Sequence, residues 1–372
     1  MKEKIIIVSF SNIRKDSRVK RQIYALKNRY RVITFGYGNN DIKGIEFHKI
    51  NRNLKILKKV LLFFLFISSN YKKFSYYYFS YERIISYCSK NSIKCFILND
   101  CFAWPLIDFI NPKKCILDAH EYSPEEFNDR ILWKTLKKRY KYWCSLFANK
   151  VKTNFCVEKN LCKKWEDFSG VEFKELRNFS KYHSFEPKKN NSYPLKIVHH
   201  GIGNKSRKIE NMIKGVINCG NNYEGYFYLD TKSKSLDRKL KTLSRNTNVF
   251  IMNPIEENSL IKKCYEYDLA ILSIFPSNVN YKYCLPNKLF QFIQSRLPIV
   301  AGPTPSIIEI INDYKIGVIS KSFNAKDLCT AIKSISIDDL IEMKHNCNKA
   351  AKDLSWENES NILLSSVSKI KF

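Results

Sequence analysis

Acidic side chains are scarce in this sequence relative to basic ones. Its 372 residues include 64 Lys and Arg against 35 Asp and Glu, which gives a formal net charge of +29. Such an excess of one sign predicts an anionic partner: nucleic acid, an anionic membrane surface or a phosphorylated substrate. No recognisable nucleic-acid-reading motif is present and the basic residues are spread over both halves, so we expect no nucleic acid.

Cysteine pairs at the spacing of a zinc site or a redox motif are also missing. The closest cluster among the 12 cysteines is Cys88, Cys95 and Cys101, and it has neither spacing. Cys95 and Cys156 lie in apolar stretches, where a buried thiol acts as a small hydrophobic group. The cysteines therefore predict no metal site and indicate a reducing, cytoplasmic compartment.

Long hydrophobic runs are missing as well. The longest run, 60–67, is well short of the roughly 20 residues that span a bilayer. Near the start of the chain, Lys2 and Lys4 precede an apolar run at 5–8 that is too short for the core of a secretory signal. We therefore expect neither a membrane span nor a signal peptide.

Short apolar runs alternate with amphipathic stretches along the chain, which is long enough for two domains. Continuous apolar strands, each followed by a helix, predict parallel sheets covered on both faces, an α/β fold with two Rossmann-like halves. The predicted strands are 5–8, 32–35, 95–98, 115–117 and, as the last of the first half, 151–157, then 195–198, 226–229, 249–252, 269–272 and 299–301.

A polar stretch with two prolines and no periodicity, 181–194, predicts the linker between the halves. The predicted domains are 1–185 and 186–355, with a C-terminal helix at about 356–372. Ser306 and Glu309 are placed to form a capping box at a helix start.

The segment 285–293 combines features of an anion-binding helix start. Pro286 is predicted at the first helical position, which leaves the following backbone amides unpaired. Lys288 in the first turn is unfavourable to the helix itself, and its presence there suits an anion held nearby. The alternative is an ordinary helix start whose lysine points to water.

The segment 199–210 repeats this pattern. It follows a predicted strand, its two glycines allow a tight turn, and it leads into a helix expected to start near Ser206. Arg207 and Lys208 then lie in the first turn, and a guanidinium with free amides suits a diphosphate. The glycine spacing is not that of the dinucleotide-binding motif, so a nicotinamide cofactor is not expected.

Two segments of the first half carry further candidates. Asp16 is predicted to cap a helix, and His120 and Glu121 follow a strand directly, so they would project from its end. A histidine there could donate to a sugar hydroxyl or to a developing oxyanion. The alternative is a loop histidine hydrogen-bonded to Asp118.

Basic residues are mixed with many aromatic ones in the stretches 52–87 and 133–143. Such a composition is typical of a segment at a lipid headgroup surface. A core helix with a solvated charged face is the alternative for both.

The sequence resembles the bacterial family 4 glycosyltransferases, of the kind that build O-antigens and capsules, over nearly its whole length. The matching segments are Asp16-Ser-Arg-Val19, Asp118-Ala-His-Glu121, Val198-His-His-Gly201 with Arg207, Leu285-Pro-Asn-Lys-Leu-Phe290 and Arg296-Leu-Pro-Ile-Val300. The resemblance implies the glycosyltransferase B fold: two facing Rossmann-like domains, with the nucleotide-sugar in the second and the acceptor in the first. It also implies that the C-terminal helix crosses back to the first domain, that the anomeric configuration is retained, and that no metal or other cofactor is obligatory.

Carried over by residue, the resemblance implies that Arg207 and Lys288 neutralise the donor diphosphate, assisted by amides around Gly201 and Asn287. His120 would touch the transferred sugar, and Asp16 and Glu121 would lie on the acceptor side. Two positions on the ribose and sugar side depart from the family pattern, which has glutamates there: Gln291 and Tyr283.

Together these features predict a cytoplasmic enzyme that is peripheral on the inner face of the plasma membrane. It would move a hexose-type sugar from a nucleoside-diphosphate sugar to a lipid-linked glycan acceptor in surface polysaccharide biosynthesis. Two alternatives stay open: a nucleotide-sugar epimerase of the same fold, and a non-catalytic basic scaffold that binds membranes.

Overall fold

The computed structural model describes residues 2–50, 60–62, 64, 65, 68, 70–125, 141, 144–189 and 192–370. Contacts within the chain divide it into two compact units, Met1–Arg177 with Ser360–Phe372, and Asn178–Glu359. The sequence predicts the domain boundary after residue 185, whereas the contacts of the structure place it after residue 177. Residues 52–59 and most of the stretch 133–143, on which two predictions fall, lie outside the described residues.

The first unit contains a seven-stranded parallel sheet in the order β3-β2-β1-β4-β5-β6-β7. Its central strands are continuous apolar runs because helices cover both faces. The strands are β1 (Lys4–Asn12), β2 (Arg31–Tyr37), β3 (Glu46–Lys49), β4 (Cys95–Asn99), β5 (Cys115–Ala119), β6 (Thr153–Cys156) and β7 (Lys174–Glu175). The order reverses between β1 and β4, so a crevice for ligands is expected at their carboxyl ends.

The α-helices of this unit that lie entirely within its described residues are α1 (Ser17–Leu26), α2 (Tyr71–Tyr78), α3 (Glu82–Ser89) and α4 (Lys159–Ser169). Helix α1 begins where the sequence predicted, because the Asp16 carboxylate accepts hydrogen bonds from the amides of Arg18 and Val19, each at 3.1 Å. Its inner face is Val19, Ile23 and Leu26, all fully buried.

A buried ion pair fastens α1 to the sheet. Arg18 donates from Nε and Nη2 to the two carboxylate oxygens of Asp118, at 2.7 and 2.5 Å, and from Nη1 to the Leu176 carbonyl at 2.8 Å. The Arg18 side chain is 4% exposed and that of Asp118 is fully buried. Burial disfavours the Arg18 cation, but the Asp118 carboxylate outweighs burial and holds the pKa of Arg18 above its ordinary value.

The second unit repeats the plan with a six-stranded parallel sheet, ordered β10-β9-β8-β11-β12-β13. Counted from β8, this is the same order as in the first unit, and it reverses between β8 and β11. The strands are β8 (Leu195–Gly203), β9 (Tyr223–Thr231), β10 (Val249–Met252), β11 (Leu269–Leu272), β12 (Ile299–Ala301) and β13 (Gly317–Ile319). Their apolar residues form two buried clusters, one on each face of the sheet.

The helices of the second unit are α5 (Ile209–Ile217), α6 (Lys234–Ser244), α7 (Glu257–Cys264), α8 (Val279–Lys282), α9 (Asn287–Gln294), α10 (Pro305–Tyr314), α11 (Ala325–Lys333) and α12 (Ile337–Asp353). A last helix, α13 (Trp356–Ser368), begins in this unit, and its residues from Ser360 onward group with the first unit.

Three predicted details are wrong. β6 is not the last strand of the first half, since the short strand β7 follows it. The predicted capping box does not open α10, because α10 begins at Pro305 after Thr304, which makes no side-chain cap, so Ser306 lies inside the helix. Helix α5 starts at Ile209 rather than near Ser206, because β8 runs on to Gly203 and Lys208 adopts a left-handed conformation with φ +45°.

No helix in the described part of the chain is long and apolar enough to cross a membrane. The same residues hold no cluster of three or more His, Cys, Asp or Glu side chains arranged to bind a metal ion. All the cysteines are free thiols, and all but Cys88 and Cys284 are buried.

We predict that Arg18→Met destabilises the first unit by about 3–5 kcal/mol, because it leaves the Asp118 carboxylate buried without a counter-ion. Arg18→Met/Asp118→Asn should regain part of that loss. Urea unfolding followed by fluorescence measures both. The exposed pair of Arg14 and Asp41, 3.3 Å apart, supplies the control: Arg14→Met should cost under about 1 kcal/mol. Equal losses at positions 14 and 18 would contradict the prediction.

Candidate active site

Strand β8 ends in a backbone conformation that favours glycine. Gly201 has φ +123°, which L side chains rarely adopt. A Cβ atom built at Gly201 would lie 2.9 Å from Nζ of Lys288 and 3.9 Å from Nη1 of Arg207. The head groups of Lys288 and Arg207 therefore lie together beside the end of β8. The sequence analysis had assigned both residues to one ligand.

Lys288 reaches this position from the first turn of α9. Pro286 is the N-cap, with an extended backbone at φ −72° and ψ 146°, so it precedes the first helical position rather than filling it. The Lys288 side chain is buried, with the residue only 7% exposed, so the alternative of a lysine pointing to water is wrong. Burial, and then the charge of Arg207, lower the pKa of Lys288 to about 7.

No carboxylate in the described part of the chain pairs with Lys288 or Arg207. A buried cation without a counter-ion disfavours the folded state, and such groups concentrate at functional sites. Arg207 lies in a short 3-10 turn, Lys205–Arg207, between β8 and α5, and its Nε atom is buried without a hydrogen-bond partner. The site is thus electropositive, and no carboxylate among the described residues balances its charge.

Two histidines that the sequence analysis left without a role line the same strand. Nδ1 of His199 donates to the Ile271 carbonyl at 2.8 Å, and Nε2 of both His199 and His200 is buried without a hydrogen-bond partner. Burial and then Lys288 lower the pKa of His199 well below its ordinary value and that of His200 to about 3. Both rings are therefore neutral near pH 7, and the site's positive charge comes from Lys288 and Arg207.

The remaining predicted donor residues lie on or beside α9. Asn287 begins the helix, and its Oδ1 accepts a hydrogen bond from Nδ2 of Asn178, a residue the sequence did not single out. Gln291 lies one turn further along and is half-buried. Tyr283 ends α8, and its ring centroid lies 5.3 Å from Nζ of Lys282.

The predicted residues of the first unit form a separate network. His120 follows β5, with Nε2 3.0 Å from Oδ1 of Asn99 and Nδ1 3.2 Å from Oδ2 of Asp100. Nε2 of His120 lies 3.8 Å from Oδ2 of Asp118, which is too far for a hydrogen bond. The alternative of a histidine hydrogen-bonded to Asp118 is therefore wrong, and the ring contacts Asn99 and Asp100 instead. Asn99 and Asp100 were missed because Asn99 ends β4 and Asp100 follows it, and only the pairing of β4 with β5 brings them beside His120.

Asp16 and Glu121 lie near this network but have different surroundings. The Asp16 carboxylate caps α1 and also accepts a hydrogen bond from Oγ of Ser11 at 2.6 Å. The Glu121 carbonyl accepts from Nε1 of Trp165 at 3.2 Å, while its side chain is exposed.

A family model described as "Glycosyl transferases group 1" matches residues 164–354. The chain belongs to this family. The matched region includes β8, α5 and α9, and so contains the Gly201, Arg207 and Lys288 site. No curated protein sequence matches the chain.

Solved structures match the glycosyl transferase chain over nearly its full length. Sucrose-phosphate synthase from Thermosynechococcus elongatus has 10% identity and a TM-score of 0.73, with 99% of this chain and 98% of that one covered. WaaG, a glycosyltransferase involved in lipopolysaccharide biosynthesis, has 9% identity and a TM-score of 0.67, with 99% of both chains covered. A structure described as trehalose-6-phosphate from E. coli bound with UDP-2-fluoro glucose has 10% identity and a TM-score of 0.67, with 99% and 100% covered. At these identities the likeness is one of fold: two parallel-sheet α/β Rossmann-like domains.

We predict that Lys288→Met stabilises the protein at pH 7 and loses this advantage as the pH rises. Folded Lys288 releases its proton near pH 7, whereas an unfolded lysine does so near 10.5, so the wild type gains stability across this window. Urea unfolding at pH 7 and pH 9 measures the difference between the two proteins. Lys326→Met, at an exposed lysine, is the control. Its free energy of unfolding should differ from that of the wild type by the same amount at both pH values. A Lys288→Met difference that did not shrink with pH would contradict the prediction.

Proposed function

We propose that this glycosyl transferase takes its sugar from a nucleoside-diphosphate sugar, with the diphosphate bound at the carboxyl end of β8. The observation that carries the proposal is the pair of cations around Gly201, buried Lys288 and partly exposed Arg207, which has no carboxylate partner in the described residues. A diphosphate would supply the missing negative charge and would favour the protonated form of Lys288.

The proposed chemistry depends on charge rather than on a nucleophile. As the bond from the sugar to the diphosphate breaks, negative charge builds on the leaving group, and Arg207 and Lys288 are fixed where they can stabilise it. Backbone amides around Gly201 and Asn287 would add to this effect. With two cations in place, an obligatory metal ion is not part of the proposal.

The nucleoside and sugar would lie along α9, where Gln291 accepts from ribose hydroxyls through its amide oxygen and Tyr283 lies on the sugar side. His120 would act near the transferred sugar, with Asp16 and Glu121 on the acceptor side. Retention of anomeric configuration, membership of family 4 and the O-antigen or capsule type belong to the same proposal.

We further propose a lipid-linked glycan acceptor and a peripheral position on the inner face of the plasma membrane, with a role in surface polysaccharide biosynthesis. The net charge of +29 supports an anionic surface as a partner. Helix α2 supports it too, since Lys72, Lys73, Tyr77 and Tyr78 are all exposed on it. Basic and aromatic side chains together favour the headgroup region of a bilayer.

The donor site is tested by Arg207→Ala and Lys288→Ala. Each should lower transfer by about a hundredfold or more, the scale on which a group that stabilises transition-state charge acts. Transfer is measured by incubating the protein with each nucleoside-diphosphate sugar and a lipid acceptor and detecting the nucleoside diphosphate that is released. Circular dichroism checks that each variant is folded.

Arg238→Ala, at an exposed arginine on α6, is the control and should keep full activity. Full activity in both site variants would refute the diphosphate assignment. A product in which the donor sugar is altered without any acceptor would identify an epimerase instead. No heat of binding with any UDP- or GDP-sugar in titration calorimetry would identify a non-catalytic scaffold.

The membrane proposal predicts that Lys72→Glu/Lys73→Glu weakens binding to vesicles containing anionic lipid by roughly tenfold or more. This follows because each basic residue near an anionic surface contributes about 1 kcal/mol to binding. Vesicle flotation measures it. Lys326→Glu/Lys333→Glu makes the same charge change on exposed residues of α11 and should leave binding nearly unchanged. An equal loss in both double variants would show that net charge alone, and not α2, drives the association.

A further inference from the structure

The carboxyl ends of β4 and β5 hold a chain of hydrogen bonds whose direction is fixed from one end. Asp118 begins it as an ionised carboxylate, because both of its oxygens accept from the Arg18 guanidinium. Asp118 Oδ2 also accepts from Nε2 of Gln22 at 2.5 Å. Gln22 must therefore present its amide nitrogen to Asp118, and this fixes which way its side-chain amide points.

The orientation of Gln22 fixes that of Asn99. The two amides pair reciprocally: Gln22 Nε2 donates to Asn99 Oδ1 at 2.9 Å, and Asn99 Nδ2 donates to Gln22 Oε1 at 3.0 Å. Both residues are fully buried, so water cannot reorganise the pair. Asn99 Oδ1 is then what faces Nε2 of His120, and since an amide oxygen only accepts, Nε2 carries a proton.

The other ring nitrogen of His120 faces a carboxylate. Nδ1 lies 3.2 Å from Oδ2 of Asp100, and Oδ1 of Asp100 accepts from the His120 backbone amide at 3.0 Å. A bare Nδ1 lone pair at this distance from a carboxylate would be repelled, so the contact holds a proton. Asp100 has φ +58°, and its own amide donates to the Asp118 carbonyl at 2.8 Å. Its conformation is thus one that only a few residue types adopt readily.

We propose that Asp100 and Asn99 are positioning residues that fix the rotation of the His120 ring and the placement of its protons. Asn99 holds the proton on Nε2, and the charge of Asp100 favours the proton on Nδ1. Only the consequence for sugar transfer rests on the proposed function. There, His120 presents no unprotonated nitrogen, so it acts through its charge on the developing negative charge and not as a base.

The charged groups around the ring agree with this assignment. Asp118 is neutralised by Arg18, and the Cys156 thiol near Arg18 stays neutral because burial raises its pKa well above the ordinary value. Among the described residues, Asp100 is thus the carboxylate that contacts the ring without a basic partner of its own, and Asp16 is a more distant acid. Burial raises the pKa of Asp100, while the charge of the neighbouring His120 opposes that rise.

The test is nuclear magnetic resonance of the full chain labelled with nitrogen-15 histidine, with His120→Gln used to assign the signals of His120. In the wild type near pH 7 we expect a proton on both Nε2 and Nδ1. Asp100→Asn should remove the Nδ1 proton signal and leave Nε2 protonated, because the new amide can donate to Nδ1. Asparagine also tolerates the left-handed backbone, so the fold should survive.

Asp108→Asn is the matched control: it removes a carboxylate of the same unit, which pairs with Lys150 at 2.5 Å and not with His120. Its His120 spectrum should equal that of the wild type. A wild-type His120 with a bare Nε2, or an unchanged spectrum in Asp100→Asn, would overturn the proposal. The wild-type spectrum alone decides the first point, even if the variant does not fold.

An activity measurement separates this proposal from the proposed function. Asp100→Asn should lower kcat by about a hundredfold, the scale on which a group that stabilises transition-state charge acts, while the KM for the donor stays unchanged. Transfer at the wild-type rate in Asp100→Asn would refute the positioning role and leave the proposed function intact. No transfer by the wild type with any donor, together with the expected spectra, would refute the proposed function and leave the assignment of the protons intact.

Discussion

The reversal of strand order in each sheet is the constraint on which the candidate sites depend. In the first unit it falls between β1 and β4, and in the second between β8 and β11. Helices leave neighbouring strands toward opposite faces there, so the carboxyl ends of the strands stay uncovered. Polar side chains can lie at such an edge without breaking either core. In the second unit this edge of the sheet holds two cations. In the first unit it holds a histidine among carboxylates and amides.

The two sites differ in how their polar groups are satisfied. In the first unit, Arg18 and Asp118 neutralise each other, and every contact from Gln22 to His120 joins a donor to an acceptor. Such a network is rigid, since turning one amide would break bonds at both ends. In the second unit, Lys288 and the Nε atom of Arg207 are buried among the described residues without a matching partner. The first arrangement is complete in itself, and the second would be completed by the diphosphate proposed above.

The sequence predicted the sheet-forming core well, because fully buried parallel strands are continuous apolar runs that pattern alone detects. It also predicted the Asp16 cap, and it assigned Arg207 and Lys288 to one ligand, which agrees with the closeness of both side chains to Gly201. It failed where one residue's backbone decides the outcome: Lys208, in a left-handed conformation, delays α5 to Ile209. It also missed Asn99 and Asp100, since strand register, not sequence distance, brings them within reach of His120. Contacts between strands leave no periodic trace in the chain.

The lowered pKa of Lys288 has a consequence for the reaction cycle if the donor binds as proposed. Near pH 8 the empty site holds a largely neutral amine, and a diphosphate that enters makes it take up a proton from solvent. That proton plays no part in bond making, and it leaves again when the nucleotide product departs. Donor affinity is thereby coupled to the acidity of the surroundings: alkaline conditions speed the departure of the product, and mildly acidic ones retain it.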